Sequence, residues 1–206
     1  MNLGQLLLLA LIQGMCELLP ISSSAHVILA EKAMGLDPTA PDMTLLLVML
    51  HTGTMLAVIV YFWRSWRERY FSSSRALCAF TGRVTVATAL TAAIGLSLML
   101  LIERLMSGGS ARAEIEQLFG NAYVIAAGLA AVGTMIILSA KQAASTQRRA
   151  LGVREAAWIG AVQGLCLPFR GFSRSGSTIS TGLFLGLARE RAEEFSFALA
   201  VALTPA

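Results

Sequence analysis

The chain has 206 residues, 56% of them hydrophobic and only 14% charged, whereas roughly a quarter are charged in a soluble domain. With a mean hydropathy of +0.69, this excludes an ordinary soluble globular domain and places the chain among membrane proteins. The formal net charge of +4 is concentrated in a few loops, and no nucleic-acid partner is expected. Cys16, Cys78 and Cys166 are odd in number and lack zinc-like spacing, so small apolar packing is a better reading than a disulfide framework or metal cluster.

In chain order, residues 3–12 are apolar without a basic region ahead of them, which reads as mature structure rather than a signal peptide. The stretch QGMCELLPISSSAH (13–26) then sets a carboxylate, three hydroxyls and a histidine in an apolar surrounding. Residues 43–63, 84–102 and 121–140 are predicted to cross a bilayer, which takes about 20 apolar residues; His51 is the single ionisable group among the three. Their many Gly, Ala, Ser and Thr residues suit close helix packing in lipid. Residues 64–83 hold five arginines against Glu68, and 141–154 hold Lys141, Arg148, Arg149 and Arg154 with no acidic residue. Residues 103–120 carry Glu103, Glu114 and Glu116 against Arg104 and Arg112. The positive-inside rule puts the first two loops in the cytoplasm and the third outside, an alternation that three consecutive spans require. Residues 3–12 and 156–167 are too short to span and are expected to form half-helices or re-entrant hairpins.

IQGMCELLPISSSA (12–25) and VQGLCLPFRGFSRSGS (162–177) share an apolar residue, Gln-Gly, an apolar residue and Cys, then a proline (Pro20, Pro168) and a serine-rich turn. They read as an internal repeat. Three spans between them would invert the second unit, so that the two serine loops meet near the midplane. The expected fold is an all-α integral membrane protein with an inverted-topology repeat, two re-entrant helical hairpins and several transmembrane helices. Residues 1–206 form one membrane domain, with repeat 1 over about 1–102 (first motif 13–26) and repeat 2 over about 121–206 (second motif 163–180).

Ionisable groups at membrane depth mark function by default, and here Glu17, His26 and His51 from the first half converge with Arg170 and Arg174 from the second. Ser173-Arg174-Ser175-Gly176 ahead of an apolar helix offers backbone N–H donors and a guanidinium, a combination that suits phosphate. A serine near a histidine and a carboxylate suits covalent attack with proton transfer. Plainer readings exist for each part: serines cap helices, His51 bonds a neighbouring helix, Glu17 pairs structurally with an arginine and Arg170 snorkels.

The first motif resembles the Glu/Gln-x-x-x-Glu and Pro-x-Ser-Ser-x-x-His signatures of the undecaprenyl-diphosphate phosphatases, the BacA-type bacitracin-resistance proteins. GFSRSGSTIS (171–180) is similar to their Pro-Gly-x-Ser-Arg-Ser-Gly-x-Thr motif, and LHTGTMLAVIVYFWR (50–64) and FSFALAVAL (195–203) also resemble family segments. The resemblance implies an inner-membrane hydrolase with its site toward the periplasm. It would remove the terminal phosphate of undecaprenyl diphosphate, recycle the carrier for peptidoglycan synthesis and thereby confer bacitracin resistance. It implies Ser23 as nucleophile, His26 as its proton-transfer partner, Arg174 as phosphate clamp, and Glu17 either orienting His26 or holding a divalent cation, Mg2+ or Ca2+. Gln13, Ser22, Arg170, Ser173, Ser175 and Thr178 would complete the substrate site. Expected partners are the diphosphate lipid and membrane lipid, with homodimerisation left open. Arg170 stands where the family has a proline, and the resemblance implies about two further membrane helices beyond Ala206. A polyprenyl-phosphate flippase and an inactive shortened homologue are the competing readings.

Overall fold

A computed structural model of the protein describes residues 1–19, 21–105, 121–143, 150–169 and 171–203. Pro20, Arg170, Arg112, Glu114, Glu116, Arg148 and Arg149, each part of an expectation above, lie outside the described residues. Eight helices and no strand occupy the described residues: α1 (Leu3–Leu18), α2 (Ser23–Ala33), α3 (Pro41–Arg69), α4 (Ser74–Leu105), α5 (Ala122–Ala143), α6 (Val153–Cys166), α7 (Arg174–Phe184) and α8 (Arg189–Leu203). Helices α3, α4 and α5 are long and apolar enough to cross a membrane. Their outward side chains, among them Leu45, Val60, Leu96, Leu100 and Ile137, are largely exposed, which is the surface a protein offers to lipid rather than to water.

Local chemistry sets the helix ends. The side chain of Asn2 accepts from the backbone N–H of Gln5 at 2.8 Å, and Gln5 returns the bond at 2.9 Å, so a reciprocal cap opens α1. Leu19, which precedes a proline in the sequence, is extended (φ −85°, ψ 149°), as a pre-proline residue prefers. Between α2 and α3 the carboxyl of Asp37 accepts from the Thr39 hydroxyl (2.7 Å) and the Thr39 N–H (2.9 Å). These bonds hold its pKa below the usual carboxylate range, the hydroxyl contributing most. Pro41 opens α3, and Arg67 and Arg69 lie in its last turn, where cations complement the helix dipole. The basic stretch 64–83, expected as a loop, is therefore mostly helix. Arginine is a good helix former, and only 70–73 separates α3 from α4.

Helices α1 and α2 pack as a hairpin, as do α6 and α7, and the halves interleave: α3 packs on both α1 and α8, α4 on α6 and α8, α5 on α7. At 16 and 14 residues, α1 and α6 are longer than the short apolar runs suggested, yet each remains below the about 20 residues of a span.

The tightest crossing is α4 on α6. Gly160 and Gly164 form a small-xxx-small stripe facing Ala87, Thr91 and Gly95. A Cβ on Gly160 would stand 2.3 Å from the Ala87 carbonyl oxygen, and one on Gly164 2.8 Å from that of Thr91. The Thr91 hydroxyl contacts the carbonyls of Ala87 and Gly160, both at 2.9 Å, and accepts from the Gln163 side-chain amide at 3.1 Å. Around this crossing a core of Ile159, Ile179, Leu183, Phe195 and Leu199 joins α6, α7 and α8. A second cluster at the far end of α3 stacks Phe62 on Phe197 at 5.2 Å. Replacing Gly160 with Ala must push α4 and α6 apart. We expect it to destabilise the detergent-solubilised protein by about 1–3 kcal/mol, read from thermal unfolding. Gly133→Ala, with nothing within 4 Å of the added Cβ, should stay within about 0.5 kcal/mol.

Candidate active site

The turns of the two hairpins meet. Glu17, in the last turn of α1, is 4% exposed, and burial of a lone carboxylate there would be costly without a partner. Arg174, the first residue of α7, supplies it: Nη2 lies 2.7 Å from Glu17 Oε1. The other carboxylate oxygen, Oε2, accepts from the Ser23 hydroxyl at 2.6 Å and from the Gln13 side-chain amide at 3.1 Å. Ser23 is itself buried at the start of α2, so one carboxylate ties three helices to a single point.

The helix geometry explains these placements. Gln13 and Glu17 are four residues apart on α1 and share its inward face. Ser22 stands at the N-cap position of α2 with its hydroxyl beside that of Ser24 (3.4 Å), whereas Ser173 caps α7, its hydroxyl accepting from the Gly176 N–H at 3.1 Å. The first N–H groups of α7, those of Arg174 and Ser175, project from the helix N-terminus, which attracts anions. Behind this turn, Gly171 adopts φ +136° and α5 sits directly on it. A Cβ on Gly128 of α5 would stand 2.9 Å from the Phe172 nitrogen. Gly128 and Gly171 thus let two backbones approach closely enough to seat the arginine turn. Thr178 faces away from the turn, sharing a 2.6 Å hydrogen bond with Ser196 of α8, and Ser177 shares one of 2.8 Å with Cys166. These bonds fix α7 against α8 and α6.

A polar cavity of about 210 Å³ opens between the turns, lined by Glu17, Ser22, Ser23, Ser24, His51, Ser173, Arg174 and Ser175 together with Phe169 and Phe172. Arg174 Nη1 is buried and has no partner among the described residues. An unsatisfied buried donor costs about 1–3 kcal/mol, and an oxyanion in this cavity is the natural group to relieve it.

The two histidines are placed differently. His26 turns back on its own helix, its Nδ1 2.6 Å from the Ser22 carbonyl oxygen, and it is not among the cavity-lining side chains. The Ser23 hydroxyl is given to Glu17 instead. His51 lines the cavity, with Nε2 3.9 Å from Glu17 Oε2. Its Nδ1 lies 2.8 Å from the Leu47 carbonyl oxygen, an acceptor, so Nδ1 donates there and Nε2 is the ring nitrogen turned toward the site. The sequence signal for His51 was its isolation in an apolar span. No comparable signal pointed to Ser196, or to the clasp at the other end of α3. There Glu194, 4% exposed, pairs with Arg69 at 3.0 Å and accepts from Ser65.

The divalent cation implied by resemblance meets a thin donor set. Among the described residues Glu17 is the one carboxylate lining the cavity, and both of its oxygens are engaged by Arg174, Ser23 and Gln13. Among the described residues no three His, Cys, Asp or Glu side chains group to hold an ion. These residues do not form a cation cage, and a hard cation would have to draw its ligands from a diphosphate and water.

The family model described as bacitracin resistance protein BacA matches residues 6–206. The chain is 59% identical over its whole length to undecaprenyl-diphosphatase 2 of Acinetobacter baylyi, covering 72% of that protein. Over 95% of its length it is 36% identical to the undecaprenyl-diphosphatase of Thermus thermophilus, covering 69% of it. Over 94% it is 33% identical to that of Desulfosudis oleivorans, covering 71%. A match that runs through both hairpin motifs and all three apolar spans leaves one conclusion: this chain belongs to the bacitracin resistance protein BacA family.

Proposed function

We propose that this chain removes the terminal phosphate of undecaprenyl diphosphate, giving the monophosphate carrier on which peptidoglycan precursors are built, and that bacitracin resistance follows from this activity. The observation that carries the reading is the buried ion pair of Glu17 with Arg174, which holds the Ser23 hydroxyl 2.6 Å from a carboxylate oxygen beside a guanidinium nitrogen without a partner among the described residues.

A nucleophile and a base in direct hydrogen-bond contact are the requirement for covalent attack. In the first step Ser23 Oγ bonds to the terminal phosphorus while the bond from phosphorus to the bridging oxygen breaks. The electron pair of that bond leaves with the lipid monophosphate, and the serine proton passes to Glu17 Oε2. Water then attacks the phosphoserine, the phosphorus–Oγ bond breaks, and Ser23 recovers its proton from Glu17. His51, whose Nε2 lies 3.9 Å from the same carboxylate, is placed to accept the proton of the attacking water and to pass it to the departing phosphate. Arg174 Nη1 and the N–H groups opening α7 would hold the equatorial oxygens, where charge is spread in phosphoryl transfer. Ser22, Ser24, Ser173 and Ser175 supply neutral donors around them. Gln13 orients the carboxylate.

The site lies off centre along α3. His51 is ten residues from Pro41, about 15 Å along the helix axis, and somewhat farther from Arg64, where the arginine-rich end begins. The arginine-rich end belongs to the cytoplasm by the positive-inside rule, and the nearness of the Pro41 end supports a cavity that opens toward the periplasm.

Phosphate release from a long-chain isoprenyl diphosphate by the detergent-solubilised protein tests the reading directly. Ser23→Ala should lower turnover at least about a thousandfold, and Glu17→Gln about a hundredfold or more. Arg174→Lys keeps a cation beside Glu17, so no buried charge is stranded, yet it loses the planar fork and should cost about a hundredfold. Unchanged turnover in all three, with helix content intact, would refute the assignment. Gly128→Val, which touches no substrate, should lower kcat by displacing the Gly171–Phe172 backbone; full activity would show that α5 does not seat the turn.

A further inference from the structure

The arginine-rich turn between α3 and α4 carries more charge and more aromatic surface than its packing uses. Residues 70–73 form a tight elbow rather than a loose loop. The backbone N–H groups of Tyr70 and Phe71 both donate to the Trp66 carbonyl oxygen, at 2.7 and 3.3 Å, and the Tyr70 ring stacks on Phe80 of α4 at 4.1 Å. Trp66 and Tyr70 are buried, so the elbow is held from inside. Its outside is different. Tyr61, Trp63 and Phe71 are 74%, 53% and 45% exposed, and the ring centres of Trp63 and Phe71 lie 6.2 Å apart. Arg64, Arg67 and Arg75 are exposed as well. Arg64 pairs with the exposed Glu68, a contact worth little, and Arg69 is engaged by Glu194. Arg67 and Arg75 have no acidic partner among the described residues.

We infer that this elbow is a docking surface for the headgroups of anionic phospholipids. It joins two helices long enough to cross a membrane, so it sits where hydrocarbon gives way to headgroups. Aromatic side chains favour that depth, and guanidinium groups without carboxylate partners suit lipid phosphates. Arg75 is the second residue of α4, where the helix dipole adds to its positive charge, and Ser72 and Ser74 bring exposed hydroxyls to the same turn. A soluble anion would meet the arginines but gain nothing from the three rings. A zwitterionic lipid would meet the rings but carries its own cation. An anionic lipid uses both, and each arginine near an anionic leaflet is worth about fivefold in binding. The elbow shares no residue with the polar cavity, so the lipid surface stands independently of the phosphatase reading.

Cys78 provides a reporter. It is exposed whereas Cys16 and Cys166 are buried, so a thiol-reactive fluorophore goes to Cys78, three residues from Arg75 and on the same face of α4. The labelled protein is placed in phosphatidylcholine vesicles in which part of the lipid is dibrominated phosphatidylglycerol or dibrominated phosphatidylcholine. Quenching then reports which lipid occupies the positions beside the label. We expect phosphatidylglycerol to be selected at least about fivefold over phosphatidylcholine, and Arg67→Gln with Arg75→Gln to bring the selection below about twofold. Raising the salt to about 0.5 M should weaken it. Arg154→Gln, which removes an exposed arginine at the start of α6, should leave it at its starting value. Equal quenching by the two lipids in the unaltered protein overturns the inference. So does selection that survives the double variant or falls equally in Arg154→Gln. Loss of selection on adding inorganic phosphate, but not on adding chloride of the same ionic strength, would show a soluble-anion site and refute the lipid surface.

Discussion

The structure turns on the ion pair between Glu17 and Arg174, side chains 157 positions apart that meet at 2.7 Å. A carboxylate 4% exposed inside an apolar chain is tolerable only with a counter-charge and hydrogen bonds for its remaining lone pairs. Arg174, Ser23 and Gln13 provide both, so the two hairpins must lie turn to turn for either charge to be satisfied. The same requirement assembles the chemistry, because what neutralises the carboxylate is also what a phosphate would bind. A pair of this kind is a poor source of net stability, which is consistent with its holding a site rather than a fold.

Stability has to come from elsewhere, and the α4–α6 crossing shows where. In lipid there is little hydrophobic gain in bringing helices together, so association depends on close packing and interhelical hydrogen bonds. Gly160 and Gly164 let the α6 backbone approach Ala87 and Thr91, and the Thr91 hydroxyl then reaches carbonyls on both helices. The clasp of Glu194 with Arg69 and Ser65 holds the far end of α3 to α8. These contacts hold α3 to α8 and α6 to α4, and so fix the helices on which the polar cavity is built.

Two glycines show how the arginine turn is set by a helix that contributes no polar group to it. Gly171 takes a positive φ that other residues rarely adopt, and Gly128 on α5 leaves room for it. Arg174 begins its helix three residues later. Its guanidinium is thereby aimed by backbone packing, while Thr178 and Ser196 lock the helix behind it.

Much of this was legible in the residues themselves. Three long apolar runs, the alternation of arginine-rich and acidic connections, and the paired Gln-Gly-x-Cys, proline and serine motifs determined a helical membrane protein with two short hairpins, because hydropathy and bilayer thickness leave few alternatives. The same residues marked Glu17, Ser23 and Arg174, since charge at membrane depth is too costly to be incidental. Contact was not legible, because it depends on helix rotation and crossing. Composition could not tell that Ser23 gives its proton to Glu17 while His26 turns back to the Ser22 carbonyl, nor that His51, from a third helix, faces the carboxylate. Likewise Thr178, which reads as a substrate ligand by its motif, is spent on Ser196. The sequence by itself determined which groups must be buried in the membrane and therefore paired; only the tertiary structure decided which partner each one received, because pairing at that depth is a matter of ångström distances between helices that the chain order does not encode.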